Sequence, residues 1–242
     1  MATDSRFNRS GSPVVQRAIE EAAVDMGLRA YMLKVYNYMM AGLAITGVVA
    51  YLTASSPALL NAIFGSPLKW VVMLAPLGFV FFLSFRIDKI QASTAQMLFW
   101  VYAALMGLSL SFIFVVYEMG SIAKVFFITS ATFGSMSLYG YTTNRDLTGF
   151  GSFLFMGLIG IIIASVVNIF MASTALEFAI SVIGVLIFTG LTAYDTQKIK
   201  MIYQDGLGHE VSTKMAVMGA LNLYLDFINL FLMLLRLFGD RR

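Results

Sequence analysis

The residues best placed to do chemistry in this 242-residue chain are two aspartates, Asp195 and Asp226. Asp226 interrupts the apolar run 215–235 (MAVMGALNLYLDFINLFLMLL), which holds no other charge. At mid-membrane depth an ionised side chain costs about 2.5–3.5 kcal/mol even on insertion scales, so it needs a proton, a partner or a water-filled path. Asp195 lies near the end of the preceding apolar run. Two carboxylates sharing one low-dielectric site cannot both ionise cheaply, so they hold a proton between them. Such a pair is a pH sensor that needs no histidine. Ionised, it is a hard-oxygen site suited to transient Ca²⁺, with waters or backbone carbonyls needed to complete the shell.

Plainer readings stand beside these. Asp195 is followed by Gln197, Lys198 and Lys200, and could be an ordinary interfacial residue. Asp226 could be a protonated carboxyl, or one bonded to Asn222, Tyr224 or Asn229, that glues helices together. Arg86 ends the second apolar run on the same side as Asp195, where it is a candidate latch on a carboxylate; snorkelling to the interface is the commoner behaviour. Glu118 and Arg236 fall at the opposite ends of their spans and are a possible outer pair, weak if exposed. His209 reads as a solvated loop residue.

The elements that must position these groups are membrane helices. The chain is 59% hydrophobic and 12% charged, with mean hydropathy +0.82; soluble domains carry about 25% charged residues. The absence of cysteine removes disulfides, thiolate metal sites and a cysteine nucleophile. A single histidine, His209, makes a histidine metal cluster or a Ser/His triad implausible. Nothing in the chain asks for a cofactor, and a net charge of +3 gives no reason to expect nucleic acid. The 16 methionines and 21 phenylalanines read as packing and contact with membrane lipids. The first 30 residues lack an apolar stretch ending in a small-residue cleavage site, so the first apolar run is expected to be both signal and anchor.

Crossing a hydrocarbon core of about 30 Å takes about 20 apolar residues as helix. Charge patterning places seven spans, at 33–53, 68–86, 96–117, 123–142, 150–171, 177–199 and 214–237. A loop containing Ser55, Ser56, Pro57, Asn61 and Gly65 follows the first, and Pro76 is expected to kink the second. With the N-terminus in the cytoplasm, eleven Lys and Arg fall inside and five outside, as the positive-inside rule prefers. Arg241 and Arg242 run against this, and a re-entrant sixth or seventh segment would bring them inside. Ser12-Pro13 marks a helix start. Val14, Val15, Ala18, Ile19, Ala22, Ala23 and Met26 then give the tail an amphipathic face for the membrane surface. The expected organisation is a cytoplasmic tail with a short amphipathic helix (1–30), a transmembrane domain (31–238) and a short tail (239–242). Spans six and seven form a hairpin about Asp205-Gly206-Leu207-Gly208-His209. Counting about 1.5 Å per residue from that turn, the two aspartates differ in height by about 10 Å, which leaves their meeting feasible.

Three segments carry a family resemblance. Leu223-Tyr224-Leu225-Asp226-Phe227-Ile228-Asn229-Leu230-Phe231, continuing to Leu235-Arg236, resembles the signature of the Bax-inhibitor (transmembrane Bax-inhibitor-motif) family. Thr192-Ala193-Tyr194-Asp195-Thr196-Gln197-Lys198-Ile199 resembles its companion motif in span six. Leu28-Arg29-Ala30-Tyr31-Met32-Leu33-Lys34-Val35-Tyr36-Asn37-Tyr38-Met39 resembles the lead into span one of bacterial members. The resemblance implies an all-α membrane fold of seven transmembrane helices, with the last helix central and wrapped by the other six. It also implies a pH-sensitive calcium leak channel with Asp195 and Asp226 as its di-aspartyl sensor and permeation site. A span-two arginine is described as latching to the span-six aspartate, and Arg86 is the candidate. Two departures stand out: a longer connection between the aspartates than in compact members, and no lysine-rich tail. The bacterial character of span one points to an inner membrane.

Two other classes use the same residues. A proton-coupled transporter would employ the carboxylates as a relay. A non-transporting regulator would bind membrane proteases or other integral proteins through the tail and helices. An enzyme is the weakest class. Intramembrane aspartyl proteases carry their second aspartate in a Gly-x-Gly-Asp setting, whereas Thr-Ala-Tyr and Leu-Tyr-Leu precede the aspartates here.

Overall fold

The computed structural model describes residues 13–204, 206 and 208–242, with 13–24 by backbone alone. Its regular elements are helical. The first, α1 (Pro13–Ala54), starts at the expected proline, whose fixed φ and missing N–H suit the first helical position. It runs unbroken into the membrane, so the tail helix and the first span are one 42-residue element. The tail's amphipathic face up to Ala23 lies outside the described side chains; Met26 is exposed.

The connection expected as a loop after α1 is instead a short helix, α2 (Pro57–Phe64), begun by Ser56, whose hydroxyl accepts the Leu59 N–H at 3.4 Å. Then come α3 (Leu68–Arg86), which continues through Pro76, and a 3-10 turn, Ile87–Lys89. The third span is α4 (Ala92–Leu110) extended by α5 (Ile113–Val116). The rest are α6 (Met119–Thr142), α7 (Thr148–Met171), α8 (Thr174–Ile202) and α9 (His209–Phe238). Seven helical segments are long and apolar enough to cross a membrane, matching all seven expected spans. The sixth and seventh are full-length helices of 29 and 30 residues, not re-entrant loops. His209 opens α9 and is not a loop residue.

Burial identifies the centre. In α9, 67% of the apolar window is buried, against 11% in the second and fifth spans and at most 39% elsewhere. Helices α1, α4, α6 and α8 pack directly on α9, while α3 packs on α4 and α7 on α8. Four of the other six spans thus pack directly on the last helix, and the second and fifth are the least buried. Close approach relies on small residues, the usual device where water supplies no driving force between helices. Gly219 of α9 lies against Ile199 of α8, and Gly184 of α8 against Met233 of α9.

The ends of the bundle are distinguishable. Gly27 of α1 packs on the Tyr203 ring after α8, and Lys34 donates to Thr213 of α9 at 2.7 Å. At the other end the C-terminal residues run beside the connection between α5 and α6. The Glu118 N–H donates to Asp240 O at 3.1 Å, and the Arg242 N–H to Val116 O at 3.0 Å. The described start of the first span and the C-terminus thus occupy opposite ends.

Candidate functional site: a buried carboxyl pair

Asp195 sits seven residues before the end of α8, and Asp226 seventeen residues into α9. At about 1.5 Å per residue, α9 must begin about 15 Å further from the pair than α8 ends. The connection 203–208 is long enough, since six extended residues reach about 20 Å. Gly206, at φ +85°, supplies the left-handed turn within it. The protruding start of α9 is held in place: Glu210 Oε1 accepts the Ala92 N–H at 2.6 Å, capping α4, and Thr213 takes the Lys34 bond.

This offset brings the two aspartates together, with their side chains in hydrogen-bonding contact. Two carboxyl groups hydrogen-bond to each other only when at least one of them carries a proton. Asp226 is 5% exposed, and its Oδ2 is buried with no hydrogen-bond partner; Asp195 is half-buried. The cation acting on Asp195 is Lys198, one turn along α8, whose ammonium also lies 6.0 Å from the Tyr194 ring centre. Asn229 donates to the Leu225 carbonyl within its own helix at 2.8 Å, and the Tyr224 hydroxyl bonds Thr46 on α1 at 2.7 Å.

Around Asp195, buried polar side chains pin α8 to its neighbours. The Tyr36 hydroxyl of α1 meets Ser137 of α6, which bonds Thr196 of α8 at 2.9 Å. Gln197 donates to Arg145 O at 2.7 Å and accepts the Leu147 N–H at 2.9 Å, fastening the connection between α6 and α7. These bonds join residues 50 or more apart, and no local motif signals them. Lys198 figures in the sequence only as a mark of an interfacial position; its spacing of three from Asp195 is the signal that sets it one turn away.

Other candidate residues stand apart. Arg86 is exposed at the end of α3 and makes no hydrogen bond or ion pair with Asp195. Glu118 and Arg236 are exposed at the C-terminal end of the bundle, and no ion pair joins them. The ion pair there is Arg241 with Glu177 at 3.3 Å, with the Arg241 guanidinium also over the Tyr117 ring at 5.8 Å. Among the described residues, no group of three or more His, Cys, Asp or Glu side chains is placed to hold a metal ion.

The comparisons with known proteins agree with this architecture. The chain is 49% identical over 245 residues to Inner membrane protein YbhL of Escherichia coli K12, covering 98% of this chain and 99% of that one. It is 52% identical over 218 residues to an uncharacterized protein of Rickettsia prowazekii, covering 90% and 92%. It is 39% identical over 218 residues to an uncharacterized membrane protein of Streptococcus pyogenes, covering 89% and 94%. A family model described as inhibitor of apoptosis-promoting Bax1 matches residues 28–242. The chain is a multi-pass membrane protein and belongs to the Bax inhibitor family.

Proposed function

We propose that this protein is a pH-sensitive calcium leak of a bacterial inner membrane, gated by the proton that Asp195 and Asp226 share. The observation that supports the reading is their contact, made from two antiparallel spans at a depth where Asp226 is 5% exposed. An apolar interior does not keep a carboxyl pair without return, because unpaired polar groups there are costly. Sharing a proton holds α8 and α9 together at this level. When that proton leaves or a second arrives, the contact changes and the helices re-pack. Calcium enters as the permeating ion, met by carboxylate oxygens with waters completing its shell. The Arg86 latch is not made in this arrangement of α3, and Lys198, the cation that acts on Asp195, belongs to the same helix α8.

The test is calcium influx into liposomes loaded with an indicator, measured from pH 6 to 8 for wild type and Asp226→Asn. The expected result is a pH-dependent influx whose dependence is shifted or abolished in the variant. Unchanged pH-dependent influx would remove the pair from the mechanism. A second reading, a proton-coupled transporter, is favoured by one observation: among the described residues no third acidic side chain joins the pair, and two carboxyl groups alone suit a proton better than a resident cation. It predicts saturable uptake of a solute driven by a proton gradient, and a passive downhill calcium flux counts against it.

A further inference from the structure

A cleft of about 360 Å³ opens between the turn 87–89, α8 and α9, bordered by Tyr31, Asp88, Ile199, Lys214, Met218 and Asn222 among others. Its volume far exceeds the about 10–15 Å³ that one water needs. Asp88, Lys198 and Lys214 supply charge, and Asn222 an amide. Asn222 precedes Asp226 by four residues, and Ile199 follows Asp195 by four. The inner end of the cleft therefore lies one helical turn, or about 6 Å, from the carboxyl pair.

An apolar contact lies at that inner end. Ile199 is 3% exposed and its side chain is seated on Gly219, so closely that an added Cβ there would meet three Ile199 carbons at 3.2–3.3 Å. Asn222 in the cleft is half-buried and Asp195 beyond the contact is also half-buried, while Asp226 is buried. Ile199 and Ile202 line the cleft from α8, and Ile199, four residues from Asp195, is the nearer of the two to the pair. We infer that this cleft is the water access to the carboxyl pair, and that Ile199 seated on Gly219 is its seal. The inference deepens the proposed leak and rests on it for what opening accomplishes. Separating Ile199 from Gly219 would extend the cleft toward the pair.

The absence of cysteine makes this directly measurable, because each introduced thiol is the only one. The full-length protein in nanodiscs, open to reagent from both faces, would be treated with a membrane-impermeant cationic methanethiosulfonate. Asn222→Cys is expected to react readily. Asp226→Cys is expected to react slowly with Ile199 in place and at least tenfold faster with Ile199→Ala; Ile199→Val should fall between and guards against a misfolded alanine variant. An unreactive Asn222→Cys in folded protein would overturn the water access. Equal rates at position 226 with Ile199, Val and Ala would overturn the seal. Calcium influx is read separately on proteins that keep both aspartates. Faster labelling together with no influx from wild type or Ile199→Ala supports the seal and removes the leak reading.

Discussion

At the scale of single residues, the pair depends on each aspartate having the other. Asp226 carries one buried oxygen without a partner, so its contact with Asp195 is its principal compensation for burial. Asp195→Ala removes that partner and leaves a carboxyl in an apolar setting, at a cost of about 1–3 kcal/mol. Asp195→Asn keeps an acceptor and gains a donor, so the hydrogen bond survives without a shared proton. The expected outcome is a clearly lowered thermal midpoint in detergent for Asp195→Ala, with Asp195→Asn close to wild type. Equal loss in both variants would mean that charge, and not the hydrogen bond, holds the two helices at this level. Tyr224 shows the same economy of partners. Its hydroxyl and the Ala103 and Gly42 carbonyls all lie within 2.9 Å of the Thr46 hydroxyl, so α1, α4 and α9 meet at one oxygen.

At the scale of elements, α8 is the piece that presents Asp195, and the surfaces of α6 and α9 fix its position. Gly140 of α6 faces the Ala193 backbone two residues before Asp195, and a Cβ at 140 would overlap the Ala193 carbonyl. Backbone cannot yield as a flexible side chain does, so Gly140→Val is expected to push α6 from α8 at about 1–3 kcal/mol, a typical cost of overpacking. The thermal midpoint reads the loss, and an unchanged midpoint would show that the two helices have slack at this crossing. The effect should also reach the Ser137–Thr196 bond one turn away. The seven helices were legible in the sequence because apolar runs of membrane-spanning length, broken by charge and turn residues, leave a chain few alternatives. The pairing of Asp195 with Asp226 was legible only as a feasible height match. The missing quantity was how far α9 projects beyond α8, which Glu210 on α4 and Thr213 on Lys34 decide. Those partners are 118 and 179 residues distant, so no local pattern contains them. Packing directs α3 onto α4 and leaves Arg86, its last residue, exposed.

At the scale of the whole molecule, seven spans place α1 and the C-terminal residues on opposite sides, which the positive-inside rule must reconcile with Arg236, Arg241 and Arg242. Counting all Lys and Arg favours an N-terminus in the cytoplasm by eleven to five. The structure supplies a reason that one of the C-terminal arginines weighs less than a free cation. Arg241 is paired with Glu177 at 3.3 Å and lies over the Tyr117 ring. The residues beside it are tied by the Asp240–Glu118 and Arg242–Val116 backbone bonds and by the Asp240 N–H, which donates to the Ser121 hydroxyl. The opposite end keeps Arg86, Lys89 and Lys198 exposed, close to where an anionic leaflet would attract them. The expected outcome is a C-terminus outside the cytoplasm. In a bacterial host, alkaline phosphatase fused after Arg242 should be active, and green fluorescent protein fused there should stay dark. A fluorescent fusion with silent phosphatase would place the whole bundle the other way up. The carboxyl pair would then be reached through the cleft from the periplasmic side, and the pH it senses would be that of the periplasm.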